Sequence, residues 1–409
     1  MIWSAKKKVF RLYTMVMKNA SKIVKFPDPV LFTGPGTVKM LAEEIRKQGI
    51  GNVLVVTDET LTKLKLTSTF LNSLEKQGIK YTVFDNVQPN PTIQNVEEGL
   101  RVYRDNKCTA IVSFGGGSPI DCAKIIGARV ANPFMKVRMM KGPFKVFVPI
   151  PPFFCVPTTA GTGSETTVAA VITDPEKHEK FFISNSKLVP QIAVLDPELM
   201  IGLPPHITST TGMDALTHAV ESYLGLLGNE ITDEYAEKAV KLIFENLELV
   251  YKNGKNIQAR MNMAMASYYG GAAFTRTSVG YVHAFAHNLG GFYGVPHGLA
   301  NAVILPYILE FYGDSVVNKL AVLAVAGGIG EVGEPSSELS SRFISHIKSL
   351  NEKMNIPTFI KEIKEDDIPL IAKKILGEAH PNYPVPKIMN DNECREILYM
   401  LLDPKNNTK

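Results

Sequence analysis

Thr109–Phe114 (TAIVSF) runs without a break into Gly115-Gly116-Gly117-Ser118-Pro119-Ile120-Asp121, and this stretch decides the fold class. The first six residues are short, apolar and partly β-branched, as a buried strand requires. Three glycines then permit unusual backbone angles and let an anion approach main-chain N–H groups closely. Ser118 reads as a helix N-cap, Pro119 as the first helical residue and Asp121 as the capping-box acid. A helix N-terminus behind a glycine turn suits a pyrophosphate. The pattern is neither G-x-G-x-x-G nor a Walker A loop, and a tight strand–helix turn without a ligand would look the same locally.

On either side the rhythm repeats. Gly51–Thr57 (GNVLVVT) and Lys80–Phe84 read as strands, and Leu61–Gln77 and Asn95–Asp105 as amphipathic helices. Strands alternating with helices imply βαβ units and a mainly parallel sheet. Past Pro205 the texture changes to long helical patterns at Thr208–Leu224, Thr232–Leu249, Asn256–Phe274 and Val282–Phe292. The expectation is an α/β chain: a Rossmann-like parallel-sheet domain over 26–204 and an all-α helical domain over 205–409, with a cleft between them. Residues 1–25 form a basic extension. Clefts at domain interfaces and the carboxyl ends of parallel strands are where small molecules bind.

Two further elements look toward a nucleotide. The loop Pro157–Glu165 (PTTAGTGSE) offers the hydroxyls of Thr158, Thr159 and Thr162 and two glycines to ribose and phosphate oxygens. Asp58 follows the strand VLVVT. A carboxylate there can accept from a ribose diol and would repel a 2′-phosphate, favouring NAD over NADP. Asp58 precedes the glycine turn, however, so the usual fingerprint spacing does not apply.

The chain has eight histidines, and four fall into one pattern. Asp214 and His218 lie four residues apart in a helical stretch and share a face. His283 and His287 repeat that spacing, and His297 follows one loop later. A carboxylate with imidazoles suits a borderline divalent ion and leaves coordination positions for a substrate oxygen. His178, His206, His346 and His380 show no such grouping.

Composition bounds the rest. At 409 residues the chain is too long for one core, and 45% apolar with 21% charged residues is ordinary for a globular protein. No run approaches the roughly 18 apolar residues of a membrane helix. Before Asp28 stand seven Lys or Arg and no acid, so of a net +4 the remainder carries 4 − 7 = −3. The body is therefore not basic, and no nucleic-acid partner is expected. The basic start reads as a partly disordered extension, with a targeting segment or a membrane-surface helix as alternatives; a membrane partner is not expected. Four scattered cysteines without C-x-x-C spacing read as buried thiols in a reducing, cytoplasmic compartment.

The motifs together are more specific than any one of them. GGGSPIDCAK, PTTAGTGSE, GMDALTHAVESY and GYVHAFAHNLGGFYGVPHG, with PNPT at Pro89–Thr92, resemble in order the signatures of the iron-containing (group III) alcohol dehydrogenase family, from about Phe26 to the C-terminus. The resemblance implies an NAD-dependent alcohol dehydrogenase or aldehyde reductase acting on a small primary alcohol or aldehyde, and a homodimer. It implies a divalent metal, Fe²⁺ before Zn²⁺, on Asp214, His218, His283 and His297, with His287 as a non-ligand histidine that relays a proton. It implies cofactor contacts from Asp58, Asn90, Gly116, Gly117, Ser118, Thr158, Thr159, Thr162 and Lys180. Phe153, Phe154 and Phe274 are expected as apolar pocket walls. Glu378–Lys387 (EAHPNYPVPK) and the basic extension depart from the family pattern. A glycerol-dehydrogenase-like zinc polyol dehydrogenase and a non-catalytic metal- or nucleotide-binding protein are the alternatives. Lyase chemistry of the dehydroquinate synthase kind is disfavoured by the Asp-x₃-His pair.

Overall fold

The protein is described here by a computed structural model covering residues 2–21, 26–177 and 179–404. His178, Lys22 and Lys25 lie outside the described residues. The chain divides into two compact units, one of Phe26–Leu203 with Gly254–Gly271, the other of Pro204–Asn253 and Ala272–Lys409 with the N-terminal segment.

The first unit holds nine strands among the described residues: β1 (Val30–Thr33), β2 (Asn52–Val56), β3 (Lys80–Phe84), β4 (Ala110–Gly115), β5 (Gly142–Pro143), β6 (Phe153–Pro157), β7 (Ala169–Asp174), β8 (Glu179–Ser184) and β9 (Ile192–Leu195). Six form one parallel sheet in the order β1-β9-β6-β4-β2-β3, and β5-β8-β7 form a small second sheet. Alternate residues of the large sheet feed two cores. Leu54, Val56, Ile111, Phe153 and Cys155 pack on one face; Val53, Val55, Val112, Phe114, Phe154 and Val156 pack on the other. Burial on both faces is why these strands read as unbroken apolar runs rather than alternating ones. It also removes Phe153 and Phe154 from the expected pocket wall, because both are 1% exposed or less inside these cores.

The strand order sets the position of the cofactor elements. From β2 the chain moves outward to β3, then returns across β2 to β4 and proceeds the other way. The reversal falls between β2 and β4, and ligands of open parallel sheets bind outside the carboxyl ends of the strands at such a point. Asp58 follows β2 and the glycine turn follows β4. Sheet order thus brings together two elements that sequence spacing keeps apart.

Two local expectations are corrected. The helical stretch Leu61–Gln77 is broken into Glu59–Lys63 and Ser68–Lys76, with Lys65 between them at a φ of +58°. The helix after β4 starts earlier than its cap pattern suggests: it spans Gly117–Ala131 with Gly116 at the N-cap, so Ser118 and Pro119 lie inside the first turn. Asp121 caps nothing. It accepts from Ser164 Oγ at 2.6 Å and Val171 N at 2.9 Å instead.

In the second unit every regular element among the described residues is helical. Pro205–Leu224 begins with proline at its first position, where a missing N–H costs nothing. Glu230–Lys252 is closed by a reciprocal cap between Asn229 and Thr232. Tyr281–Tyr293 ends at Gly294, whose φ of +72° only glycine adopts freely. His297–Tyr312 packs against both Pro205–Leu224 and Tyr281–Tyr293. The basic extension, expected to be partly disordered, is a helix over Ile2–Ser21 in this unit.

Candidate metal centre and cofactor turn

Three helices of the second unit converge on one carboxylate. Asp214 and His218 project from the same face of Pro205–Leu224, His283 comes from Tyr281–Tyr293, and His297 opens the next helix. Asp214 Oδ1 lies 3.5 Å from His297 Nε2, 3.8 Å from His283 Nε2 and 4.0 Å from His218 Nε2. Asp214, His218 and His283 are buried and His297 is half-buried. Asp214, His283 and His297 satisfy the mutual spacing of a metal site. His218 is held by stacking, with ring centroids 4.2 Å from Phe274 and 4.6 Å from His283. Phe274 therefore lies beside this cluster, unlike Phe153 and Phe154.

The tautomer of His283 follows from its partner. Its Nδ1 is 2.7 Å from Glu221 Oε2, and Glu221 also accepts from Gly280 N at 2.8 Å and Val282 N at 2.7 Å. A carboxylate so supplied with donors takes the Nδ1 proton as one more, which turns the Nε2 lone pair toward Asp214. Burial, and then the neighbouring histidines, hold the His283 imidazole well below its ordinary range, so it is neutral, as a ligand must be. Asn301 Nδ2 lies 2.6 Å from Asp214 Oδ1, 3.3 Å from His283 Nε2 and 3.2 Å from His297 Nε2. Its Oδ1 is buried and has no hydrogen-bond partner. The set of one carboxylate and imidazole lone pairs fits a borderline divalent cation.

His287 stands apart. Its Nδ1 is 2.7 Å from Glu378 Oε1, and Glu378 also accepts from Asn288 Nδ2 at 2.8 Å and Tyr383 Oη at 2.7 Å. The ring stacks on His297 at 5.3 Å. Glu378 and Tyr383 belong to the segment that departs from the family pattern, and the departure supplies the partners of His287. Of the ungrouped histidines, His380 is bound to Tyr281 Oη at 2.6 Å and His346 packs on Phe244 at 4.4 Å. His206 sits in the first turn of Pro205–Leu224.

The cofactor candidates cluster in the first unit. A Cβ on Gly116 would stand 3.3 Å from Thr159 Oγ1, and one on Gly117 would stand 2.9 Å from Thr162 Cγ2, so the glycine turn and the Thr loop touch. Thr158 N donates to Gly115 O at 3.0 Å. Asn90 N donates to Ser118 Oγ at 3.3 Å, and Lys180 Nζ donates to Asn90 Oδ1 at 2.8 Å. Asp58 caps the short helix after β2 through Oδ1, which accepts from Leu61 N at 3.1 Å. All nine lie about the carboxyl ends of β2, β4 and β6 or next to residues that do.

Sequence reasoning missed Glu221, Glu378 and Asn301. Glu221 was legible: it follows Asp214 by seven and His218 by three, on the same helix face. Its removal gives a direct check. Glu221→Gln is expected to lower divalent-metal affinity about 10–100-fold with the fold intact, read by competition with a chromophoric chelator.

Known proteins resemble this chain in sequence and fold. The family described as iron-containing alcohol dehydrogenase matches residues 28–197, and the C-terminal part of the Fe-containing alcohol dehydrogenase family matches residues 208–402. The 1,3-propanediol dehydrogenase of Klebsiella pneumoniae is 39% identical over 374 residues, covering 90% of this chain and 96% of that protein. A crystal structure of a 1,3-propanediol oxidoreductase superposes with a TM-score of 0.88 at 37% identity, over 92% of this chain and 100% of the other. The sulfoacetaldehyde reductase of Bifidobacterium kashiwanohense, solved in complex with NAD⁺, superposes with a TM-score of 0.83 at 27% identity, over 94% and 99%.

Proposed function

This chain belongs to the iron-containing alcohol dehydrogenase family and is an oxidoreductase of alcohols and aldehydes, and from that premise we propose that it interconverts a small primary alcohol and its aldehyde with NAD(H) and an iron(II) ion held by Asp214, His218, His283 and His297. The carrying observation is the convergence of three Nε2 atoms within 4.0 Å of Asp214 Oδ1. The relatives' substrates, 1,3-propanediol and sulfoacetaldehyde, support a short polar-ended substrate. Four buried free thiols support a reducing compartment such as the cytoplasm, and the family resemblance supports a homodimer.

When bound, the ion supplies a Lewis acid for the substrate oxygen and the nicotinamide supplies the hydride acceptor or donor. The chain's own residues do the rest. Asp214 provides the only negative charge among the four donors. Glu221 fixes His283 with its Nε2 lone pair inward. The backbone at Gly116 and Gly117 and the hydroxyls of Thr158, Thr159 and Thr162 bind phosphate and ribose oxygens. Asp58 Oδ2, not used in capping, accepts from a ribose diol. Glu378 keeps the proton of His287 on Nδ1, leaving Nε2 to take up or release the substrate proton.

His287→Ala is expected to keep its metal and lose about 10²–10³-fold in kcat, by analogy with other positioned proton carriers. Metal content together with kcat checks it, and loss of metal would show that the ligand assignment, which leaves His287 out, is wrong. The reading as a whole is tested by stripping the metal, rebuilding anaerobically with Fe²⁺ or Zn²⁺, and assaying short aldehydes with NADH and NADPH. Turnover with Fe²⁺ and NADH is expected. No turnover with any metal would make this a binding protein, and a clear NADPH preference would remove the role given to Asp58.

A further inference from the structure

The N-terminal helix Ile2–Ser21 has two dissimilar faces. One is docked on its own unit. Phe10 and Trp3 lie 4.9 and 6.4 Å from the His380 ring, Thr14 is buried, and Arg11 donates to the carbonyls of Val385, at 2.7 Å, and Pro386. The opposite face is apolar and open: Val9, Leu12, Tyr13 and Val16 are 62%, 56%, 37% and 57% exposed. At 100° per residue these four span an arc of about 100°, and Lys8 and Lys6 stand on its two borders. Both lysines are exposed.

We infer that this helix lies flat on an anionic lipid surface, with Val9, Leu12, Tyr13 and Val16 among the acyl chains and Lys6 and Lys8 at the headgroups. An apolar stripe bordered by cations is the pattern of an interfacial helix, because long lysine side chains reach up to phosphate while their stems stay apolar. The helix carries Lys6, Lys7, Lys8, Arg11 and Lys18 and no acid, which matches an anionic leaflet. A second copy of the same face is a poor occupant, since it would set the Lys6 and Lys8 borders of one copy against those of the other. Among the described residues no helix is long and apolar enough to cross a membrane. The sequence alone left a membrane-surface helix as an alternative to a partly disordered extension, with no membrane partner expected. What changes the reading is the docking of Trp3, Phe10 and Arg11, which fixes the open face outward. The inference is independent of the proposed chemistry.

The test uses the full chain with phosphatidylcholine vesicles, with and without phosphatidylglycerol, by co-sedimentation. Binding to the anionic vesicles is expected, weakening with salt. The pairs Leu12→Glu/Val16→Glu and Lys6→Glu/Lys8→Glu are each expected to lower partitioning about tenfold or more, with unfolding midpoint and activity unchanged because these side chains are exposed. Trp3, the only tryptophan, faces the body, so its emission is expected to stay constant on binding. Absence of binding at low salt, equal binding by the variants, or a marked shift of Trp3 emission would each overturn the inference. So would a dimer in solution that Leu12→Glu dissolves, since that would make the face an interface between copies.

Discussion

Replacing Asp214 with alanine is expected to abolish retention of a divalent ion and to cut kcat/KM by roughly three orders of magnitude, the loss of several kcal/mol of charge stabilisation. The size of the effect comes from the donor set. Three of the four proposed donors are imidazoles, and only Asp214 brings a negative charge to a site where it, His218 and His283 are buried. Its Oδ1 also lies within 4.0 Å of all three Nε2 positions, at 3.5 to 4.0 Å. Asp214→Asn keeps an oxygen but not the charge, and falls between wild type and alanine. Metal content after dialysis is the primary measurement. The unfolding midpoint is the second: added Fe²⁺ raises it in the wild type by mass action and leaves it unchanged in the alanine variant. Stoichiometric metal in Asp214→Ala would show that the ion sits elsewhere.

Helical periodicity, which places residues i and i+4 on one face, marked the Asp214/His218 and His283/His287 pairs that the structure brings together with His297; the separation of His287 from the four proposed donors rests on the family resemblance. Their partners were legible only in part. Glu221 lies on the same stripe as Asp214 and His218, but a glutamate on a helix has many other uses. Glu378 lies 91 residues from His287, and no local pattern encodes that meeting. Asp58 shows the same limit in the sheet. Its strand neighbours β4 only because the chain order reverses there, and spacing along the sequence does not report sheet order. The cap misassignment at Ser118 has a different origin. Ser-Pro-x-Asp is a sound cap pattern, but Gly116 already supplies the extended residue before the helix, and Ser118 and Asp121 bond instead to Asn90 and to the Ser164 and Val171 groups. The extension was misread because acid-free composition speaks of charge and solvation, whereas Trp3, Phe10 and Arg11 dock it by contacts to residues 380–386.

Lys124 carries the second large effect, beneath the glycine turn. It is fully buried, and its ammonium donates to Ser164 O at 2.7 Å, Thr167 O at 2.8 Å, Thr167 Oγ1 at 2.8 Å and Ala169 O at 2.8 Å. It thereby ties the helix behind the turn to the end of the Thr loop. Burial pulls its pKa below the ordinary lysine range and pushes that of Asp121 above the carboxylate range; each charge partly offsets the other. Lys124→Met keeps the stem and removes the donor, leaving three carbonyls and the Asp121 charge without it. The expected loss is about 3–5 kcal/mol, the range for breaking a buried charge arrangement at one end. Denaturant unfolding of the apo protein measures it. Adding Asp121→Asn removes the stranded charge, so the double variant is expected to be less destabilised than the sum of the singles. NADH affinity separates this from simple loss of fold. Gly163 sits in the same loop at a φ of +58°, with its N–H on Ser267 Oγ at 3.2 Å, an anchor independent of Lys124. A folded Lys124→Met is therefore expected to bind NADH more weakly through a loosened Ser164–Ala169 segment. Unchanged stability with unchanged NADH affinity would mean that these four hydrogen bonds of Lys124 are replaced by water at no cost, which a fully buried site does not allow.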